Sequence, residues 1–335
     1  MIDNLESIAK VLIASHKGIL AADESTNTIT KRFDVLGIES TEETRRQYRE
    51  MLFTTAGIEN YISGVILFDE TIRQETEDGV SFVDVLKEKG IIPGIKVDQG
   101  KEAMQSSPEE MITKGLDSLA KRLQEYYKFG ARFAKWRAVI KISEKLPTEE
   151  CIEKNMSDLA QYAKICQEND FVPIVEPEVL RDGSHGIDRC YEVTKKVLEK
   201  LFEKLSEAGV DLKGILLKPN MITPGEASEE EMDPEIIAEK TVECFKAVVP
   251  EVVPGVVFLS GGQTEAQACE NLNAMNKNYT DLPWQLSFSY GRALQNSAMR
   301  TWNGKDENVG EAQEVFLNRA KLVSAGREGK YSIEI

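Results

Sequence analysis

The 335 residues, 41% hydrophobic and 29% charged, describe a soluble globular chain with ample apolar material for a core, which excludes disordered and fibrous classes. The formal charge of −16 repels nucleic acid and anionic membrane surfaces, because phosphate backbones are bound through clustered Lys and Arg. No stretch approaches the roughly 18 apolar residues of a membrane span, and Met1 to Leu20 carries Asp3 and Glu6 in place of a basic leader, so a cytoplasmic protein without signal or anchor is expected.

In chain order, a helix-like segment from Asp3 to Ser15 leads into the first short β-type run, Gly18 to Ala22. Asp23 ends that run. The polar loop Glu24-Ser25-Thr26-Asn27-Thr28, with Lys31 and Arg32 beyond it, reads either as a helix cap or as a phosphate-holding loop. Gly64 to Phe68 is the second run, and Ile91 to Val97, ending near Lys96, is the third. An amphipathic stretch from Pro108 to Phe129 precedes the fourth, Ala131 to Ile140. Lys135 and Arg137 lie two apart there, so both point to one face while Trp136 points to the other. After a helical pattern from Thr148 to Glu168 comes the fifth run, Phe171 to Val179, where Glu176 and Glu178 share a face in the same way. Charges interrupt the apolar sequence in the fourth and fifth runs, which makes them the least regular.

A helical pattern from Asp188 to Ala208 precedes the sixth run, Gly214 to Leu217, from which Lys218 emerges just before Pro219-Asn220. Asp233 to Val248 then leads to Gly255 to Leu259, which runs into Ser260-Gly261-Gly262. Gln263 to Met275 leads to Trp284 to Ser289, which runs into Ser289-Tyr290-Gly291-Arg292. Helical patterns at Gly291 to Trp302 and Asn308 to Ala325 end the chain. Strand and helix alternate eight times with no composition break, so the fold expected is α/β, a single (β/α)8 (TIM) barrel over residues 1–335 with additional N- and C-terminal helices. A doubly wound open sheet competes, but no GxGxxG follows any run.

Reactive groups in such a barrel lie at the carboxyl ends of the strands, and charged residues collect there: Asp23, Lys96, Lys135, Arg137, Glu176, Glu178, Lys218 and Arg292. Lys218 leaves an apolar strand where desolvation lowers its pKa and frees the amine to attack a carbonyl, and a second amine at Lys135 would depress it further. The alternative is a salt-bridge cluster that merely plugs the barrel. The Gly-rich loops after runs seven and eight, Ser260 to Gly262 and Ser289 to Arg292, occupy the usual phosphate position of these barrels. Two histidines, His16 and His185, lie far apart and give a zinc mechanism too few ligands. The five cysteines, Cys151, Cys166, Cys190, Cys244 and Cys269, contain no CxxC pair and read as reduced thiols, with Cys166 and Cys244 as core fillers.

At these residues the chain resembles the class I, Schiff-base fructose-1,6-bisphosphate aldolases. The matching segments, in uninterrupted order from about Lys17 to Tyr331, include Gly18-Ile19-Leu20-Ala21-Ala22-Asp23-Glu24-Ser25, Gly94-Ile95-Lys96-Val97-Asp98 and Phe133-Ala134-Lys135-Trp136-Arg137. They continue with Pro173-Ile174-Val175-Glu176-Pro177-Glu178, Leu216-Leu217-Lys218-Pro219-Asn220-Met221, Phe258-Leu259-Ser260-Gly261-Gly262-Gln263 and Phe288-Ser289-Tyr290-Gly291-Arg292-Ala293-Leu294-Gln295. The resemblance implies a homotetramer, no metal or other cofactor, and reversible cleavage of fructose 1,6-bisphosphate to dihydroxyacetone phosphate and glyceraldehyde 3-phosphate. It implies that Lys218 forms the Schiff base, that Glu176 is acid and base in carbinolamine dehydration, and that Asp23 helps remove the C4 hydroxyl proton. Lys135 and Glu178 would tune the charged network. Ser260, Gly261, Gly291 and Arg292 would hold the C1 phosphate, while Ser25, Thr28 and Lys96 would meet the other phosphate with Arg32 near it. Thr28 stands where the family has serine, which keeps the hydroxyl. Animal members carry a longer tail ending in a tyrosine that moves a proton at C3 of the enamine, whereas this sequence stops at Ile335 just after Tyr331-Ser332. A lyase preferring fructose 1-phosphate is the enzymatic alternative, and a scaffold protein on the same fold is the non-enzymatic one.

Overall fold

A computed structural model describes residues 4–332. Eight parallel strands close into a barrel in chain order: Gly18–Ala22, Ile62–Leu67, Ile92–Lys96, Phe133–Ile140, Val172–Val179, Leu216–Leu217, Gly255–Phe258 and Gln285–Tyr290, the last pairing back onto the first. Helices surround it, so each strand is buried on both faces and reads as an apolar run rather than an alternating one. The expected (β/α)8 barrel is therefore the fold, and each of the eight predicted runs overlaps a barrel strand.

Strand parity divides the core in two. Outward-facing side chains pack on the surrounding helices; Trp136, for example, stacks on Tyr162 of helix Glu149–Glu168 with ring centroids 5.6 Å apart. Inward-facing Ile19, Ala21, Ile66, Phe133, Val172, Ile174, Leu216 and Val257 form a separate cluster with Ile8, Ala9, Leu12 and Ile13. Those last four belong to the N-terminal helix Leu5–Leu12 and its C-cap, which plugs the amino end of the barrel. Asp3, at the start of the predicted segment, lies outside the described residues, as does Ile335 at the chain end. The chain-end helices Arg292–Trp302 and Val309–Arg327 pack on each other against the barrel, as the last helical patterns indicated.

The strands expected to be least regular, the fourth and fifth, are the longest, eight residues each and paired in unbroken register from Phe133↔Val172 to Ile140↔Val179. Lys135, Arg137, Glu176 and Glu178 face inward to the cavity, while Arg132 of the predicted run precedes the strand and lies over the Tyr127 ring. The stretch Pro108 to Phe129 is corrected: only Leu119–Phe129 is helical, and Met111–Thr113 pairs antiparallel with Lys101–Ala103. Gly115 separates the two at φ +120, a conformation open to glycine that a continuous helix would not tolerate. Helices Thr26–Asp34, Glu42–Thr54 and Phe82–Glu88 were not singled out by periodicity. All five cysteines are free and buried, Cys166 and Cys244 within the main core. Among the described residues no helix is long and apolar enough to cross a membrane.

Inside the barrel the backbone of strand three must approach Phe133 closely, since a Cβ on Gly94 would sit 2.3 to 2.5 Å from three of its ring carbons. Overpacking of this kind costs about 1–3 kcal/mol, so Gly94→Ala is expected to lose that much in denaturant titration, and Phe133→Leu in the same chain to recover part of it. Strict additivity of the two changes would contradict the contact.

Candidate active site

Two residues beyond the apolar layer on strands one, four, five and six, the barrel interior turns from hydrocarbon to charge. Asp23 continues the series of Ile19 and Ala21, Lys135 and Arg137 that of Phe133, Glu176 and Glu178 that of Val172 and Ile174, and Lys218 that of Leu216. Register aligns Lys96 with Lys135 and Arg137 with Glu176. Asp23, Lys135, Glu176, Glu178 and Lys218 are all buried.

Glu176 stands between the two lysines. Its Oε1 lies 3.4 Å from Lys218 Nζ and its Oε2 3.3 Å from Lys135 Nζ, while Lys135 Nζ also meets Asp23 Oδ2 at 2.7 Å. Arg137 pairs with Glu178. Burial, joined by the like charge of Lys135, pushes the Lys218 ammonium below the ordinary lysine value against the opposing pull of Glu176 and Asp23. Lys135 goes the other way: burial works against its charge, but Asp23 and Glu176 outweigh it and hold the pKa well above the usual range. Burial would favour protonated carboxyls, yet Lys135 and Lys218 keep Asp23 at about 2 and, with Arg137, keep Glu176 below the ordinary carboxylate value. Two amines of the same type are thus split in environment, one fixed as a cation and one made easier to deprotonate, the separation that acid and base chemistry requires.

Above the cluster opens a cavity of about 560 Å³. Asp23, Ser25, Thr28, Arg32, Lys96, Lys135, Arg137, Glu176, Glu178, Lys218, Ser260, Gly261, Ser289, Gly291 and Arg292 all line it. Gly262 does not. Its φ is +73 and its carbonyl is taken by Arg181, so this residue supports the loop from behind. Two helices start at the mouth from the exits of the paired first and last strands, Arg292–Trp302 from Gly291 and Thr26–Asp34 from Ser25, and neither cap residue makes a side-chain hydrogen bond to its own helix. Free first-turn amides of this kind suit phosphate oxygens. Ser25 Oγ instead meets Thr28 Oγ1 at 3.0 Å, so the loop is both helix start and hydroxyl pair. Ser289 Oγ is buried without a hydrogen-bond partner beside the cavity.

Several supporting residues were missed. Asn220 accepts from Val179 N at 3.0 Å and donates to Thr194 Oγ1 at 3.2 Å, pinning the chain just after Lys218 to strand five. Asp98 meets Lys96 Nζ at 2.6 Å. Glu24 is gripped by Arg32 and by Arg49, whose Nη2 lies 2.7 Å from it, and Gln295 donates to Ala21 O at 2.7 Å while accepting from Tyr48. Asn220, Gln295 and Asp98 stand inside the motifs quoted above; nothing local marks Arg49, whose partner Glu24 is set by the fold.

The sequence matches the family model described as Fructose-bisphosphate aldolase class-I over residues 4–335. The chain belongs to the class I fructose-bisphosphate aldolase family. It is 52% identical over 332 residues to a probable fructose-bisphosphate aldolase class 1 of Xanthomonas campestris pv. campestris, covering 98% of this chain and 99% of that protein. It is 54% identical to the cytoplasmic isozyme of Spinacia oleracea, covering 98% and 92%. A co-crystal structure of the Plasmodium falciparum aldolase superposes with a TM-score of 0.96 at 51% identity, covering 98% of this chain and 95% of that one. The aldolase is accordingly a metal-independent lyase of glycolysis that acts on phosphorylated sugars.

In this aldolase Lys135→Met removes the like charge that lowers Lys218 and releases two carboxylates that raise it. The pH midpoint for borohydride trapping of a carbonyl substrate is therefore expected to move upward in the variant. A midpoint that stays or falls would contradict the electrostatic roles given to Lys135.

Proposed function

We propose that Lys218 is the Schiff-base residue of this aldolase, with fructose 1,6-bisphosphate lying across the barrel mouth and one phosphate at each side. The observation that carries this reading is the buried Lys218 amine, its pKa lowered, 3.4 Å from an ionised Glu176 beneath a cavity flanked by two open helix starts. The amine loses a proton to Glu176 and attacks the ketose carbonyl at C2. The two protons shed by the ammonium nitrogen leave on the C2 oxygen as water, carried by Glu176, and a protonated imine remains. Asp23, kept ionised by Lys135, accepts the C4 hydroxyl proton. The C3–C4 electron pair then passes to the iminium carbon, giving an enamine and glyceraldehyde 3-phosphate. Protonation at C3 and hydrolysis of the imine release dihydroxyacetone phosphate and restore Lys218.

Ser260, Gly261, Gly262, Ser289, Gly291 and Arg292 serve the C1 phosphate in this reading, Gly262 by supporting its loop. Ser25, Thr28, Arg32 and Lys96 serve the other, and Arg137 orders Glu178. Two anchored phosphates convert binding energy into orientation of C4 against Asp23. The iminium supplies the electron sink, so no cofactor is required. We further assign one domain to residues 1–335, a homotetrameric assembly and a cytoplasmic location; relatives named as cytoplasmic and cytosolic isozymes support the last.

Incubation with dihydroxyacetone phosphate followed by borohydride should leave one adduct, on the Lys218 peptide by mass spectrometry. Lys218→Met should fold normally and lose at least about ten-thousand-fold in turnover. An adduct elsewhere sinks the assignment. Thr28→Ala is expected to raise KM for fructose 1,6-bisphosphate about threefold or more and leave that for fructose 1-phosphate unchanged; equal effects on the two ketoses would remove Thr28 from the second phosphate.

A further inference from the structure

Arg181 stands three residues beyond Glu178, on the loop leaving strand five, and its guanidinium reaches two other loops. Nε donates to the carbonyl of Pro224 at 3.1 Å, on the segment that follows Lys218, and a terminal nitrogen donates to the carbonyl of Gly262, on the loop leaving strand seven. The backbone repeats the first connection: Glu226 N donates to Arg181 O at 2.8 Å, Gly225 N to His185 O at 2.8 Å and Ala227 N to Gly183 O at 2.9 Å. One side chain thus joins the exits of three consecutive strands, those carrying Glu178, Lys218 and Ser260.

The contact is shaped as well as hydrogen-bonded, since a Cβ on Gly262 would lie 2.9 Å from Arg181 Cδ. In front of it the turn closes through Gln263 N to Ser260 O at 3.1 Å, and Gly261 has little freedom, as its own Cβ would lie 2.9 Å from Glu178 Oε1 and 4.0 Å from Arg292 Nη2. Neither Arg181 nor Gly262 lines the cavity. A glycine peptide turns easily, and a carbonyl swung toward the cavity would set its negative end against a phosphate.

We infer that Arg181 is a positioning residue for phosphate recognition. It fixes the Gly262 carbonyl on the side remote from the substrate and holds Ser260 and Gly261 where the C1 phosphate is received, without touching that phosphate. This rests on the reading that Ser260, Gly261 and Arg292 bind the C1 phosphate. The fork of a guanidinium satisfies two carbonyls together; a lysine reaches one and a methionine none.

Steady-state kinetics with fructose 1,6-bisphosphate on Arg181→Met, Arg181→Lys and Arg292→Ala test it, with active sites counted by borohydride adduct. Arg181→Met should raise KM about tenfold with kcat within about twofold, and Arg181→Lys should fall between it and the parent. If Arg181→Met yields no folded protein, Arg181→Lys carries the test, with a KM rise of about threefold expected. A parental KM in these variants, with or without a fall in kcat, overturns the inference while Arg292→Ala still raises KM. An unchanged KM in Arg292→Ala overturns both the inference and the phosphate reading beneath it.

Discussion

Everything at the barrel mouth depends on one buried carboxylate, Glu176, placed between two ammonium groups. Removing charges from water costs several kcal/mol each, and here Asp23 with Lys135 and Glu176 with Lys218 balance one another, with Arg137 and Glu178 as a third pair at the rim. The set is even, so the low dielectric that weakens the hold of Lys218 on its proton does not leave an uncompensated charge. Converting the Lys218 ammonium to an iminium preserves the positive charge at that nitrogen. In the proposed mechanism the surrounding carboxylates would therefore stabilise the resting cation and the covalent cation alike, with the neutral amine as the brief state between them.

The barrel makes this arrangement through parity. The inward-facing series of strands one, four, five and six begin in hydrocarbon against the N-terminal helix and end in charge, so the apolar lower half fixes the spacing of the polar upper half. Packing that locks Phe133 against strand three also sets the height of Lys135, two residues along, and strand five sets Glu176 by the same count from Ile174. Lys218 sits after the shortest strand, Leu216–Leu217, and its position is completed from outside by Asn220. Orientation of the reactive groups is thus inherited from strands rather than from mobile loops.

Much of this was legible in the residues. A two-residue spacing sufficed to put Lys135 with Arg137 and Glu176 with Glu178 on one face, because strand geometry admits no other outcome. Buried strands announced themselves as apolar runs, and among the charges that made runs four and five look irregular are Lys135, Arg137, Glu176 and Glu178, which line the cavity. Helix Thr26–Asp34 was half visible as a capping signal, although Ser25 makes no side-chain hydrogen bond to its own helix. The hairpin of Lys101–Ala103 and Met111–Thr113 was hidden, since three-residue strands carry too little pattern to compete with a long amphipathic run. Gly262 looked like its neighbours Ser260 and Gly261, and only the approach of Arg181 from another strand exit sets it apart. Arg49, far in sequence from Glu24 and paired to it in space, is illegible for the same reason.

The central claim is that the Lys218 ammonium is weakened by burial and by Lys135 while its neighbours keep it compensated. It is tested most directly by following the Lys218 Nζ resonance, assigned with Lys218→Met, in the free enzyme labelled with nitrogen-15 lysine through a pH titration. The account predicts a midpoint below the ordinary lysine value of about 10.4. A midpoint at or above that value would contradict it.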